Sequence, residues 1–169
     1  MTRNIFFTSD THAGHRNIIK YSNRPFETIE EMNSKLIQNI NNKVGQNDIL
    51  YHLGDFSWTS VKAFRERIIC KEIHLILGNH DSYHDCKGFF TTIKDYDELK
   101  ISKQLKIVLF HYPIAIWNKK HHGAYNLCGH SHGSFEPSCI NGYENGLCLD
   151  VGVDVHNYEP ISLEEVHCI

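Results

Sequence analysis

The sequence predicts a mixed α/β fold in which sheet packs against sheet in part. Short apolar runs, each followed by a polar loop, alternate with helical periodicity early in the chain and follow one another later. The 169 residues are 41% hydrophobic and 22% charged, so there is enough apolar material for the core of one domain spanning residues 1–169.

The early elements have recognisable boundaries. Ile5 to Thr8 form an apolar run that ends at Ser9-Asp10, as expected of a buried strand. Thr28 and Glu31 have the spacing of a capping box, and an apolar helical face follows at Ile29, Met32, Leu36, Ile40 and Val44. "SVKAFRERII" predicts a second helix, and "DILYHLGD" and "IHLILGNHD" predict two further strands that end in polar loops.

The later half repeats the strand-to-loop pattern. "LKIVLFHYP" ends in His111, "YNLCGHSHG" ends in His130 and His132, and "LCLDVGVD" is another strand candidate. No internal repeat, low-complexity tract or linker interrupts the pattern.

Charge and cysteine content argue against several classes of protein. A formal charge of −3 provides no broad cationic surface for duplex DNA or an anionic membrane, although it is compatible with a nucleotide in a local pocket. "MTRNIFFTSD" is too short an apolar start for a signal peptide, and we expect a cytoplasmic protein without a membrane span. The six cysteines lack a C-x-x-C pair, so we interpret them as reduced, partly buried thiols.

The 13 histidines are the compositional anomaly, and several of them stand just after apolar runs. The polar segments at these points are "DTH", "GD", "GNHD", the histidine of "LFHYP", and "GHSH". Rigid strand ends can aim side chains while the following loops leave room for a substrate. The paired residues of "DTH" and "HSH" are two apart, so in an extended segment they share one face.

These segments supply oxygen and nitrogen donors that suit manganese, iron, zinc, cobalt or nickel better than a soft sulfur site does. Because the donors are too many for one tetrahedral ion, we interpret them as two divalent ions that share a bridging carboxylate. The candidate ligands are Asp10, His12, Asp55, Asn79, His111, His130 and His132.

The ordered series D-x-H, GD, GNHD, H and GHxH, over residues 10 to 132, resembles the calcineurin-like metallophosphoesterase superfamily. "TSDTHAGHRNIIKYSNRPF", "YHLGDF" and "VGVDVHNYEPISLEEV" are similar to its small bacterial and phage members. The resemblance implies a four-layer β-sandwich of two mixed sheets flanked by helices, with the metals at the carboxyl-terminal rim of the strands.

The resemblance also implies roles for individual residues. One metal would be held by Asp10, His12, Asp55 and His132, and the other by Asp55, Asn79, His111 and His130, with Asp55 as the bridge. His80 would act as the general acid, or would help to neutralise the phosphoryl group, and Asp81 would orient it. Two cations about 3.5 to 4 Å apart would turn a bound water into hydroxide for attack on phosphorus. We expect manganese first.

The substrate class is less narrowly defined. "GDFSWTS" lacks the arginine of the "VDRG" stretch typical of the protein-phosphatase branch, which favours a small-molecule or nucleotide phosphodiesterase or phosphatase. His15, Asn17 and Arg24 are the candidate substrate contacts, because they follow the first metal-binding segment closely. For His52 we expect a hydrogen bond in the core or behind the ligands.

Other residues and functions have competing interpretations. The 117–125 loop, with His121 and His122, is expected to be solvated rather than a mobile rim of the site. Core packing is preferred over base stacking for Tyr112, Trp117 and Tyr125, and His156 and His167 are expected to be structural. A non-catalytic interaction module on the same fold predicts gaps in the ligand set, and a zinc-stabilised nucleic-acid binder predicts paired Cys and His with a basic face; the sequence has none of these features.

Overall fold

The computed structural model describes residues 3–134 and 147–168 and contains two mixed sheets. The first sheet consists, in spatial order, of β4 (Thr92–Lys94), β3 (Glu72–Ile76), β2 (Ile49–His52), β1 (Ile5–Thr8) and β9 (Ile161–Ser162). Strands β1 to β4 run parallel, and β9 runs antiparallel to β1. The parallel strands therefore present their carboxyl ends along one edge of the sheet.

The second sheet has four strands, in the order β5 (Tyr96–Lys100), β6 (Lys106–Phe110), β7 (Tyr125–Cys128) and β8 (Cys148–Asp150). Strands β6, β7 and β8 are parallel, and β5 is antiparallel to β6. The predicted mixed α/β architecture of two mixed sheets is confirmed.

Five α-helices lie in the described part of the chain: α1 (Ile18–Tyr21), α2 (Ile29–Lys43), α3 (Val61–Arg65), α4 (Tyr83–Cys86) and α5 (Leu163–His167). Short 3₁₀ turns span Lys120–His122 and Val153–Val155. None of these helices is long and apolar enough to cross a bilayer.

The start of α2 differs in one detail from the predicted capping box. Thr28 Oγ1 accepts a hydrogen bond from the Glu31 amide at 3.1 Å, as expected. The Glu31 carboxylate, however, accepts from the Glu27 amide at 2.9 Å, one residue before the cap. The reciprocal capping box lies instead at α5, between Ser162 and Glu165.

Apolar side chains from alternate positions of the first sheet enter two different core layers. Phe6, Leu50 and Ile73 pack against the helices, together with Met32 and Leu36 of α2. The neighbouring positions Phe7 and Ile76 face the second sheet, where they meet Ile107, Leu109 and Leu127. This alternation is the period-2 pattern of a sheet covered on both faces.

The outer face of the second sheet is covered by a segment of the chain that follows β6. In the described residues it packs against the segment 111–124, which carries a single 3₁₀ turn. Trp117 is buried there and donates its indole N–H to the Ala124 carbonyl at 2.8 Å, so its predicted core role is confirmed.

Four cysteines, Cys70, Cys86, Cys128 and Cys148, are buried, and the first three are free thiols, as expected. Cys139 lies outside the described residues.

Candidate active site

All seven predicted ligands lie in loops that follow parallel strands. Asp10 and His12 follow β1, Asp55 follows β2, Asn79 follows β3, and His111 follows β6 directly. His130 and His132 follow β7. Strands β1, β2 and β3 are parallel to one another, as are β6 and β7, and the two sheets pack face to face, so these loops converge at one rim of the sandwich.

The donor atoms form two clusters that meet at one carboxylate. Those of Asp10, His12 and His132 lie within 4.8 Å of one another, as do those of Asp55, His111 and His130. Asp55 Oδ2 lies 3.4 Å from His12 Nε2 in one cluster and 3.5 Å from His111 Nε2 in the other. The same oxygen therefore faces both clusters, as a bridging ligand must.

Asn79 completes the second cluster. Its Oδ1 lies 3.1 Å from His111 Nε2 and 3.0 Å from His130 Nδ1. His111 Nδ1 lies 2.7 Å from the Leu53 carbonyl oxygen, which fixes that nitrogen as the protonated one and leaves Nε2 with its lone pair directed at the cluster.

The chemistry of the donors fits a divalent cation. His12 Nε2 is buried and has no hydrogen-bond partner among the described residues, an arrangement that is costly without a ligand. Burial lowers the pKa of His12 to about 3, so the ring is neutral and can donate its lone pair. Burial also raises the pKa of Asp10 to about 7, whereas a bound cation would stabilise its charged form.

Asp55 differs from Asp10 because its partners outweigh its burial. Burial raises the Asp55 pKa, but the interactions with His111 and with the His80 amide bring it down to about 2. The carboxylate that lies between the two clusters is therefore fully charged near neutral pH.

The ligand loops have unusual backbone conformations. Positive φ angles of 58°, 47°, 55°, 69° and 47° occur at Asp10, His12, Asp55, His130 and His132. Non-glycine residues in this left-handed region are uncommon and cost of order 1–3 kcal/mol where strained, and such residues cluster at functional sites. The sandwich thus holds these ligands in conformations that free loops would rarely populate.

Close approach of two loops depends on Gly54 and Gly78. A Cβ at Gly54, whose φ is +96°, would lie 2.5 Å from His111 Nδ1 and 2.7 Å from Gly78 Cα. A Cβ at Gly78 would collide with the Asp55 carboxylate. The glycines of "GD" and "GNHD" therefore let β2 and β3 deliver their ligands side by side.

Asp81 ties the same two loops together through their backbones. Its carboxylate accepts from the amides of Asp55 at 2.7 Å, Phe56 at 2.9 Å and Gly78 at 2.9 Å. These bonds differ from the expected contact with the His80 ring. His80 is linked to the site through its own amide, which donates to Asp55 Oδ1 at 3.0 Å.

Arg24 is not placed as a substrate contact. Its side chain is fully buried, and Nε and Nη2 donate to the two oxygens of Asp154, each at 2.8 Å. Nη2 also donates to the Asp10 carbonyl at 2.7 Å, and Nη1 donates to the Thr11 carbonyl at 3.1 Å. Arg24 therefore supports the first ligand loop from behind, and this corrects the expectation that it grips phosphate.

Asp154 is a site residue that the sequence reasoning missed. Its Oδ2 lies 2.7 Å from His132 Nδ1, so it holds that nitrogen and leaves Nε2 for a metal. Burial raises the Asp154 pKa, but the hydrogen bonds from His132 and Arg24 lower it overall. A usable signal was present, because Asp154 is a charged residue within the otherwise apolar "VGVDV".

An open cavity of about 730 Å³ lies over the two clusters. Two of the expected substrate contacts, His15 and Asn17, line it, and so does His80. Trp58, which the sequence reasoning overlooked inside "GDFSWTS", stacks on His15 with ring centroids 4.0 Å apart and planes inclined at 12°. The other lining residues are His12, Ile18, Tyr21, Ser22, Asp55, Asn79, His130, Ser131, His132 and Ser134.

Four other histidines have the environments that the sequence led us to expect. His52 is fully buried, and its Nε2 lies 3.0 Å from Thr11 Oγ1, as expected for a core hydrogen bond. His156 Nε2 lies 2.8 Å from the Asp150 carbonyl oxygen, which is a structural contact. His121 and His122 are exposed and belong to the 3₁₀ turn, as expected of a solvated loop.

Tyr112 and Tyr125, for which core packing was also expected, are less buried than Trp117. Tyr112 is partly exposed, and its ring centroid lies 4.5 Å from that of His130 beside the second cluster. Tyr125 lies in β7 with its ring 6.1 Å from His167.

Similar structures exist for the whole chain. AQ665 from Aquifex aeolicus, a protein of unknown function, superposes with a TM-score of 0.81 at 25% identity and covers 99% of both chains. YfcE, a phosphoesterase from E. coli, has a TM-score of 0.51 at 16% identity, covers 87% of this chain and 78% of its own, and shares the fold.

Related sequences were also found. An uncharacterized protein of Methanocaldococcus jannaschii is 38% identical over 168 residues, which is 96% of this chain and 88% of that protein. The gene 66 protein of Mycobacterium phage L5 is 33% identical over 93 residues, which is 48% of this chain and 41% of that protein. The family model described as "Calcineurin-like phosphoesterase superfamily domain" matches residues 4–145. The chain therefore belongs to the calcineurin-like phosphoesterase superfamily.

Proposed function

We propose that this protein is a dinuclear metal-dependent phosphoesterase that hydrolyses small phosphoesters, including those of nucleotides. The observation that carries the proposal is the position of Asp55, whose Oδ2 lies 3.4 Å and 3.5 Å from imidazole nitrogens of the two ligand clusters. A single cation needs no such shared oxygen, whereas a pair of cations is held at a fixed separation by one.

The ligand assignment follows the two clusters. Asp10, His12 and His132 would hold one cation and Asn79, His111 and His130 the other, with Asp55 shared. Bound cations would neutralise the phosphoryl oxygens and lower the pKa of water toward neutrality. Manganese is the first candidate, with iron, zinc, nickel and cobalt as alternatives, because the ligands are nitrogen and oxygen donors.

The charged residues around the cavity are consistent with phosphate binding by metal ions. Neither arginine nor lysine is among the described residues that line it. Arg24 is buried, does not line the cavity, and donates to Asp154 and to two backbone carbonyls. The negative charge of a phosphoester would therefore be met by the metal pair and by histidines rather than by an arginine clamp.

His80 is the proposed general acid. Its ring is exposed in the cavity, with its centroid 5.5 Å from that of His12. The His80 amide is fixed to the bridging carboxylate at 3.0 Å, so the side chain projects from a point defined by the metal site. A ring nitrogen of His80 would donate its proton to the leaving-group oxygen as the bond to phosphorus breaks.

The test is the isosteric variant Asp55→Asn. We expect it to lose hydrolysis of a nitrophenyl diester in the presence of manganese, and to lose bound metal as measured by elemental analysis. The reason is that an uncharged amide cannot replace a carboxylate as the shared ligand of two cations. Asp85→Asn, at an exposed position of α4, is the matched control and should retain both properties. Full turnover by Asp55→Asn with two ions bound would refute the proposal.

A further inference from the structure

One wall of the cavity is aromatic and contains no metal ligand. Trp58 is 49% exposed and Tyr21 is 75% exposed, although both are large aromatic side chains. Both line the cavity that also contains the two ligand clusters. Solvent-exposed aromatics that are grouped at a cavity mouth are typical of ligand-binding surfaces.

This wall is anchored to the site. The Trp58 amide donates to the Ala13 carbonyl at 2.8 Å, and Ala13 forms a β-bridge with Ser57. The segment after "GD" is therefore hydrogen-bonded to the segment that carries Asp10 and His12. The His15 ring is nearly parallel to the indole at 4.0 Å, and the Tyr21 ring meets His15 edge-on at 6.2 Å. Trp58 is therefore held in place on one side while about half of its surface stays exposed.

The wall is also continuous with the reacting groups. The Trp58 ring centroid lies 4.9 Å from that of His80, the proposed general acid. His80 in turn lies 5.5 Å from His12. A planar group attached to a phosphoester bound near His80 and His12 would thus lie within reach of the indole ring.

The chemistry of the wall favours a nucleobase over an aliphatic or charged group. Indole and phenol rings stack on any base through its π face, and this stacking needs no charged partner. The polar side chains of Asn17 and Ser22 line the same cavity and can hydrogen-bond with the edge of a base.

We propose that Trp58, together with Tyr21, forms a subsite for the base of a nucleoside phosphoester, which makes nucleotides the substrate class. The inference rests on the proposed phosphoesterase function. Its rival is that Trp58 only positions His15 and His80, in which case the loss of Trp58 would affect every substrate equally.

The kinetic test compares two diesters with the same p-nitrophenyl leaving group, one carrying a nucleoside and one a methyl group. We expect Trp58→Ala to reduce kcat/KM for the nucleoside diester about 5- to 100-fold more than for the methyl diester, mostly through KM. Trp58→Phe should recover most of the difference. Tyr83→Ala, an exposed aromatic outside the cavity, is the control. Equal losses on both diesters would overturn the subsite.

A binding measurement separates failure of the subsite from failure of the proposed function. The chain has two tryptophans, and Trp117 is buried, so the emission of Trp58 can be isolated by subtracting the Trp58→Phe spectrum. We expect a nucleoside monophosphate, but not ribose 5-phosphate, to quench this emission. Quenching without hydrolysis of either diester would contradict the phosphoesterase proposal alone. Identical responses to the two ligands would remove the base subsite whether or not the protein is an enzyme.

Discussion

Replacement of Asp154 by asparagine tests whether the buried network behind the site supports both folding and metal binding. Asp154 is the only described acidic partner of Arg24, and the two side chains are 6% and 0% exposed. Asparagine keeps the shape of the side chain and removes its charge. The variant therefore leaves a guanidinium buried without a counter-charge and changes the group that holds His132 Nδ1.

The expected magnitudes follow from this geometry. Loss of one member of a buried, bidentate pair costs about 3 to 5 kcal/mol of unfolding free energy. Loss of a carboxylate that orients a metal-binding histidine reduces metal affinity about 10- to 100-fold. Asp97→Asn is the control, because its partner Lys94 lies at 2.9 Å but is 46% exposed, and such a pair is worth less than about 1 kcal/mol.

Two assays separate the effects. Urea unfolding in the presence of a chelator gives the stability of the metal-free protein, and titration of the folded protein with manganese gives the affinity. We expect Asp154→Asn to be changed in both and Asp97→Asn in neither. If Asp154→Asn unfolded at the wild-type urea concentration and bound manganese normally, the reasoning about the network would be refuted.

Three other changes have defined outcomes. Burial lowers the pKa of His52 to about 3, whereas the ordinary value is 6.5, so the unfolded chain binds the extra proton first. The contribution of neutral His52 to the unfolding free energy is complete above pH 6.5 and falls by about 1.4 kcal/mol per pH unit as the pH drops toward 3. His52→Gln should remove this contribution to the pH dependence of urea unfolding. His80→Ala should keep its metal yet lose about 10²- to 10⁴-fold in rate on an alkyl leaving group, and much less on nitrophenol. Gly54→Ala should lose about 1 to 3 kcal/mol of unfolding free energy, because its Cβ would lie 2.5 Å from His111 Nδ1.

Each of these has a comparison that decides it. An unchanged pH slope in His52→Gln would show that the ring is protonated equally in the folded and unfolded states. Equal rate losses of His80→Ala on good and poor leaving groups would exclude proton donation. Gly123→Ala shares a positive φ, of +81°, but has open space around it, so a loss as large as that of Gly54→Ala would assign the effect to backbone strain alone.

Local sequence patterns predicted six of the nine described strands, the long helix α2 and the set of possible ligands, but they did not predict β4, β5 and β9. Apolar runs ending at Asp10, Asp55 and Asn79 locate the strand ends, since hydrophobic periodicity and loop chemistry are local properties of the chain. The order of the motifs along the chain then predicted the family, which the family model over residues 4–145 confirms.

The contacts of the individual polar residues could not be predicted without the folded chain. Arg24 and Asp154 are 130 positions apart, and their pairing depends on how the C-terminal segment returns to the first sheet. The same holds for Asp81, which binds backbone amides, and for Trp58, which lies against His15. The physical reason is that the direction of a side chain depends on the packing of distant segments, whereas the end of a strand depends on its neighbours in sequence.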